Sequence, residues 1–158
     1  MKRIQAFLTF LLVFSVSLNA QKVTEEEAIK ETINSFFKGM YEADSALIKS
    51  VLADQAVFHT IISNPAATDK IVQQPIQEFL NFTAQLQKGD AVEKISFQTI
   101  LTDGDLAMAW TPYQFYYKNK FSHCGVNAFQ LVKNGDAWKI VYIIDTRRKN
   151  NCEEVLLP

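Results

Sequence analysis

The side chains of this chain that could carry chemistry are two histidines, one strand carboxylate and a band of aromatics. His123 ranks first, because an imidazole can donate, accept or transfer a proton near neutral pH. His59 lies on an earlier strand-like run, Ala56–Ile62, and would cooperate with His123 if both faced one cavity. Asp103, Asp105 and Asp136 fall in turns, which leaves Asp145 as the strand acid. Arg147, two residues on, shares its face and can pair with it. His123 and Asp145 are therefore the catalytic candidates. Trp110, Tyr113, Phe115, Tyr116 and Tyr117 form a belt able to stack on a ring, although such runs also fill cores and subunit surfaces. His59, Trp110, Tyr113, His123, Asn127 and Tyr142 form the candidate ligand-binding set.

A hairpin positions several of these groups. With Asn134-Gly135 as a two-residue turn, Lys133 opposes Asp136. One face then gathers Leu131, Trp138, Phe129, Ile140, Asn127, Tyr142, Gly125, Ile144, His123 and Thr146. This bulkier face is expected to be concave, pointing His123, Asn127 and Tyr142 into an apolar space. The other face places Cys124 opposite Asp145. It also exposes Val126, Ala128, Val141 and Ile143, on which two subunits could pair.

Other reaction classes lack their signatures. The sequence contains no Ser-centred elbow, P-loop, H-E-x-x-H or C-x-x-C, so neither a metal nor another cofactor is expected. Asn81-Phe82-Thr83 matches a glycosylation sequon, but it falls within a helix and reads as chance. Basic residues are scattered, which gives no footprint for nucleic acid.

The elements that hold these residues are legible in order. Thr24-Glu25-Glu26-Glu27 is a capping box, and Ile29, Ile33, Phe36, Phe37, Met40 and Tyr41 recur at helical spacing. Asp44 caps a second helix running to about Leu52. The strand at Ala56–Ile62 closes on Asn64-Pro65, and a short return strand is expected near Lys70–Gln73. Pro75 opens a third helix that runs to Gly89. Four antiparallel strands follow, at about Val92–Leu101, Leu106–Lys118, Phe121–Lys133 and Trp138–Arg147. Helices first and strands last make an α+β fold, a long curved antiparallel sheet covering three N-terminal helices.

The N-terminus reads as a signal peptide, residues 1–20. Lys2 and Arg3 precede the apolar stretch Ile4–Leu18, and small residues end at Ala20. Cleavage at Ala20/Gln21 would leave 138 of the 158 residues, and loss of Lys2 and Arg3 moves the formal charge from −1 to −3. One domain at 21–149 and a tail at 150–158 follow, periplasmic or secreted and with no membrane association after processing. Cys124 and Cys152 are an even pair in an exported chain and are expected to form a disulfide that staples the tail.

Asp44–Phe58 (DSALIKSVLADQAVF) and Asn134–Ile140 (NGDAWKI), set in this order of elements, resemble the nuclear transport factor 2-like superfamily, with its SnoaL-like and ketosteroid isomerase-like branches. The resemblance is to its small exported bacterial members and covers nearly all of residues 23–149. It implies a cone-shaped pocket and no particular reaction, since the superfamily contains isomerases, dehydratases, polyketide cyclases, epoxide hydrolases and non-catalytic domains. The favoured expectation is an exported, non-catalytic domain holding an apolar or aromatic small molecule. The alternative is an isomerase, dehydratase or hydrolase with His123 or Asp145 as base and a Tyr as donor.

Overall fold

The computed structural model describes residues 24–62, 71–153 and 155. The signal-peptide reading, the Asn64-Pro65 turn and Lys70 lie outside the described residues. Helix α1 (Glu25–Glu42) begins with the expected capping box: the Glu27 amide donates to the Thr24 hydroxyl, and the Thr24 amide to the Glu27 carboxylate, at 3.2 and 3.0 Å. It buries Ile29, Ile33, Phe36, Phe37 and Met40. Helix α2 (Ser45–Val51) is capped by Asp44, whose carboxylate accepts from the Leu47 amide at 2.9 Å. Gly39 allows α2 to lie this close, since a Cβ there would meet Ile48 at 2.5 Å.

Strand β1 (Leu52–Ile62) pairs with the short β2 (Ile71–Gln74), and α3 (Ile76–Thr83) follows with Pro75 as its N-cap. The helix stops at Thr83, short of Gly89, which instead takes a positive φ of 84° in a later turn and donates its amide to the Tyr41 carbonyl. The single strand expected over Val92–Leu101 is two, β3 (Ala91–Ile95) and β4 (Thr99–Asp103), both antiparallel to β5 (Leu106–Tyr117). Pro112 accounts for the break. Its carbonyl accepts from the Ser96 amide, but it has no N–H to return, so the ladder is interrupted opposite it.

Strands β6 (Lys120–Asn134) and β7 (Ala137–Arg147) complete a sheet in the order β2-β1-β7-β6-β5-β3, with β4 also on β5. The sheet is mixed, because β1 runs parallel to β7. The β6–β7 turn is Gly135-Asp136, with Asn134 paired to Ala137. This shift of two residues leaves the inward parity of Leu131, Trp138 and Ile140 as expected. A bulge then moves the pairing from Leu131–Ile140 to Gln130–Tyr142. Beyond it the parity of β7 is reversed: Phe129 faces Ile143 and Asn127 faces Asp145. Val126 and Ile143 are both buried, so the quartet expected as a subunit surface is not one exposed patch.

The core lies between α1, α2, α3 and the inner face of the sheet. On the outer face, Cys124 and Arg148 exchange backbone hydrogen bonds at 2.8 Å, and Cys124 is joined to Cys152 as expected, with Cα atoms 5.7 Å apart. The Gln114 side chain donates to the Glu153 carbonyl at 3.0 Å, so the segment after β7 is tied to the sheet. No helix among the described residues is long and apolar enough to cross a membrane.

Candidate functional site

Helix periodicity and strand alternation converge on one cavity. Helices α1 and α3 present Phe36, Phe37, Met40, Phe79 and Phe82, and the inward positions of the sheet add Phe58, Phe115, Phe129 and Ile143. These residues bound a cavity of about 190 Å³ that contains seven phenylalanines in its walls. Phe36 lies parallel to Phe79 at 5.8 Å, and Phe58 meets both rings edge-on. Phe82 stacks on Tyr117 at the rim.

The sheet supplies the opposite character. Inward positions of β1, β3, β5, β6 and β7 carry Thr60, Glu93, Tyr113, His123, Asn127, Asp145 and Arg147, all lining the cavity. Asp145 is the centre of one network. One carboxylate oxygen accepts from the Thr60 hydroxyl at 2.6 Å; the other accepts from the Arg147 Nε at 2.8 Å and lies 3.1 Å from the Tyr113 hydroxyl. Arg147 Nη2 also donates to Thr60 at 2.9 Å. The Tyr113 hydroxyl lies 2.9 Å from the Thr146 carbonyl as well, so its single proton is shared between two acceptors. Gly125 makes this possible: a Cβ there would sit 1.8 Å from the Thr146 carbonyl oxygen and 2.9 Å from the Tyr113 ring.

Glu93 forms a second pair, accepting from the Asn127 amide at 2.7 Å. Burial pushes its pKa up to about 7; the Asn127 bond opposes the rise, the Asp145 charge adds to it and Arg147 opposes it. The carboxyl is therefore half protonated near neutrality and presents both a donor and an acceptor. His123 moves the other way, lowered to about 4 by burial and by the Arg147 charge, against the pull of Asp145. It is a neutral imidazole at physiological pH, with Nδ1 2.9 Å from the Ser122 hydroxyl and its ring edge-on to Tyr113. Burial, then the charges of Asp145 and Glu93, hold the Tyr113 phenol far above its ordinary value. Burial works against the Arg147 charge, but the bond to Asp145 and the charges of Asp145, Tyr113 and Glu93 together outweigh it, and the guanidinium stays ionised.

Of the residues singled out in the sequence, Tyr113, His123, Asn127 and Asp145 come together here. Three do not behave as expected. Tyr142 is carried to the outer face by the β7 bulge. Trp110, on the outer parity of β5, is 41% exposed and outside the cavity. His59 borders the cavity, but it alternates with the inward Phe58 and Thr60, and its Nδ1 lies 3.1 Å from the Tyr142 hydroxyl on the opposite side. His59 and His123 therefore do not cooperate. Glu93 went unnoticed in the sequence. The alternation Ala91, Glu93, Ile95 was the available signal, since it sets a carboxylate between two apolar residues on one strand face.

Asp145 has its lone pairs committed to Thr60, Tyr113 and Arg147, which suits an anchored carboxylate better than a free base. Among the described residues no buried side-chain nitrogen or oxygen lacks a partner, and no cluster of His, Cys, Asp and Glu is suited to a metal ion.

A family model described as "Putative lumazine-binding" matches residues 24–143. Among solved structures, an NTF2-like protein of unknown function from Shewanella baltica superimposes with a TM-score of 0.63 at 20% identity, covering 84% of this chain and 100% of that one. One from Methylobacillus flagellatus gives 0.59 at 17% identity, covering 80% and 96%. A protein with a cystatin-like fold from Nostoc punctiforme gives 0.61 at 11% identity, covering 81% and 96%. At these identities the structures speak for the fold. No curated protein matches the chain.

Proposed function

The chain belongs to the lumazine-binding-like family within the nuclear transport factor 2-like superfamily, and from that membership we propose that its cavity binds a small, flat, hydrogen-bonding aromatic molecule of the pteridinedione kind without transforming it. The observation that carries this reading is the two-sided wall. Phenylalanines from the helices offer ring faces to a planar ligand, while Glu93 and Asn127 on the sheet offer adjacent donors and acceptors. An imide edge, with its N–H beside a carbonyl, complements a protonated carboxyl. The volume of about 190 Å³ suits a compact bicyclic ring. The committed state of Asp145 favours holding over turnover.

The same reading includes export. The signal-like residues 1–20 and the Cys124–Cys152 disulfide both fit an oxidising compartment outside the cytoplasm. A catalytic reading has one observation in its favour, the Glu93 carboxyl with a pKa about 7, where a group can both take up and release a proton.

Titration of the purified chain with lumazine, followed by calorimetry at pH 6.5, tests the proposal. Saturable binding is expected with one site per chain, weakened about tenfold or more by Asn127→Leu. Absence of any saturable signal at millimolar lumazine would defeat it. Mass spectrometry of lumazine after prolonged incubation separates the readings: unchanged ligand supports binding, and a Glu93-dependent product supports catalysis.

A further inference from the structure

Lysines that are scattered along the sequence meet at one end of the fold. The β5–β6 hairpin turns through Lys118 and Asn119, both at positive φ, so that Tyr117 pairs with Lys120 and Tyr116 with Phe121. Beside this tip lie the last turn of α1 and the segment between α3 and β3. The Gly89 amide donates to the Tyr41 carbonyl at 2.8 Å, and the Lys118 amide to the Asp90 carbonyl at 2.7 Å. The hairpin tip Tyr116-Tyr117-Lys118-Asn119-Lys120-Phe121 is thus set next to Tyr41, Phe82 and Lys88.

Rings and ammonium groups alternate over this surface. Phe82, Phe121 and Tyr41 are 48%, 44% and 41% exposed. Lys88 lies 5.5 Å over the Tyr41 ring, Lys94 5.1 Å over Tyr116 and Lys118 5.4 Å over Tyr117. Lys88 is paired with Glu42 at 2.9 Å, and the Asp90 carboxylate accepts from the Gln87 amide at 3.1 Å. Among the described residues Lys94, Lys118 and Lys120 have no ion pair. This end is therefore positive on a chain whose formal charge is −1.

The rings stand on both faces of the hairpin. Tyr117 stacks on Phe82 on the helix side, while Tyr116 meets Phe121 on the other, with centroids 5.8 Å apart. A partner with a firm surface would cover one face and leave the rings of the other in water. A medium that closes around the tip covers both, and an interface of anionic headgroups over acyl chains also supplies the charge that the lysines complement. We propose that this end docks on an anionic lipid surface, the hairpin tip entering the headgroup layer with Phe121 and the tyrosines at the level of the acyl boundary and Lys94, Lys118 and Lys120 on the phosphates. The proposal revises the expectation of no membrane association after processing, and it is independent of what the inner cavity holds.

Cosedimentation with phosphatidylcholine vesicles, with and without about 30% phosphatidylglycerol, tests it at low and physiological salt. Binding is expected to be at least about tenfold tighter to the anionic vesicles and to weaken with salt. Lys118→Gln with Lys120→Gln should weaken it about tenfold or more, and Phe121→Ser should do so independently. All proteins compared share residues 1–23, so differences among them report the tip. Phe121→Trp supplies a readout of depth: bromine on the acyl chains should quench emission that the parent's Trp110 and Trp138 do not contribute. Equal binding to neutral and anionic vesicles, no loss in the lysine and Phe121→Ser variants, or no added quenching in Phe121→Trp would overturn the proposal. Displacement from the vesicles by a short single-stranded DNA at equal phosphate concentration would overturn it in favour of a general polyanion site.

Discussion

Replacing Glu93 by Gln tests the electrostatics of the cavity through folding alone. The glutamine side chain would keep an oxygen to accept from Asn127 and replaces the ionisable oxygen with an amide, so Glu93→Gln mimics the protonated acid. Burial raises the Glu93 pKa from 4.5 to about 7, with Asp145 adding to the rise and Asn127 and Arg147 opposing it. A raised carboxyl keeps its proton longer in the folded state than in the unfolded. Its contribution to stability is therefore fully present below pH 4.5 and is lost as pH rises through 7. The shift corresponds to about 3 kcal/mol once the group is ionised. His123, lowered to about 4, works in the opposite sense over an overlapping range, so the parent protein's own pH profile conceals both. The difference between variant and parent isolates Glu93. Urea unfolding of both proteins should give equal stabilities at pH 4.5 and an advantage of about 3 kcal/mol for Glu93→Gln at pH 8.5. A difference that does not change between these pH values would refute the burial argument.

Cys152→Ser opens a loop spanning 28 residues, and the chain-entropy model assigns it about 3–4 kcal/mol; denaturant midpoints measured without reductant should show the loss, and reductant should erase the difference. Gly125→Ala drives a methyl into the Thr146 carbonyl and the Tyr113 ring, and should cost about 3 kcal/mol or more by thermal unfolding. The two tyrosines should separate cleanly in lumazine titrations. Tyr113→Phe loses bonds to Asp145 and Thr146 inside the cavity and should destabilise by about 1–3 kcal/mol and weaken binding, whereas Tyr142→Phe, on the outer face, should leave the affinity unchanged.

What the sequence revealed well was local. Thr24 with Glu27, and Asp44 with the Leu47 amide, are decided within a single helical turn, and both helix starts fall where those side chains put them. The inward parity of β6 was also legible, because Leu131, Phe129, Asn127 and His123 alternate without interruption. The parity of β7 was not. A bulge after Ile140 inserts one residue, which no local pattern announces, and it exchanges Tyr142 for Ile143 and Asp145 on the cavity side. Glu93 was hidden for a related reason, since reading Val92–Leu101 as one strand passed over the interruption that Pro112 imposes from a different strand. The parallel contact of β1 with β7 joins residues far apart in sequence, and it brings Thr60 to Asp145.

The most direct test of the account is a crystal structure of the chain grown with lumazine. The ring is expected between the phenylalanines of α1 and α3 and the inner face of the sheet, with its imide edge within hydrogen-bond distance of Glu93 and Asn127. Lumazine bound elsewhere, or a cavity closed by side chains and empty at saturating ligand, would contradict it.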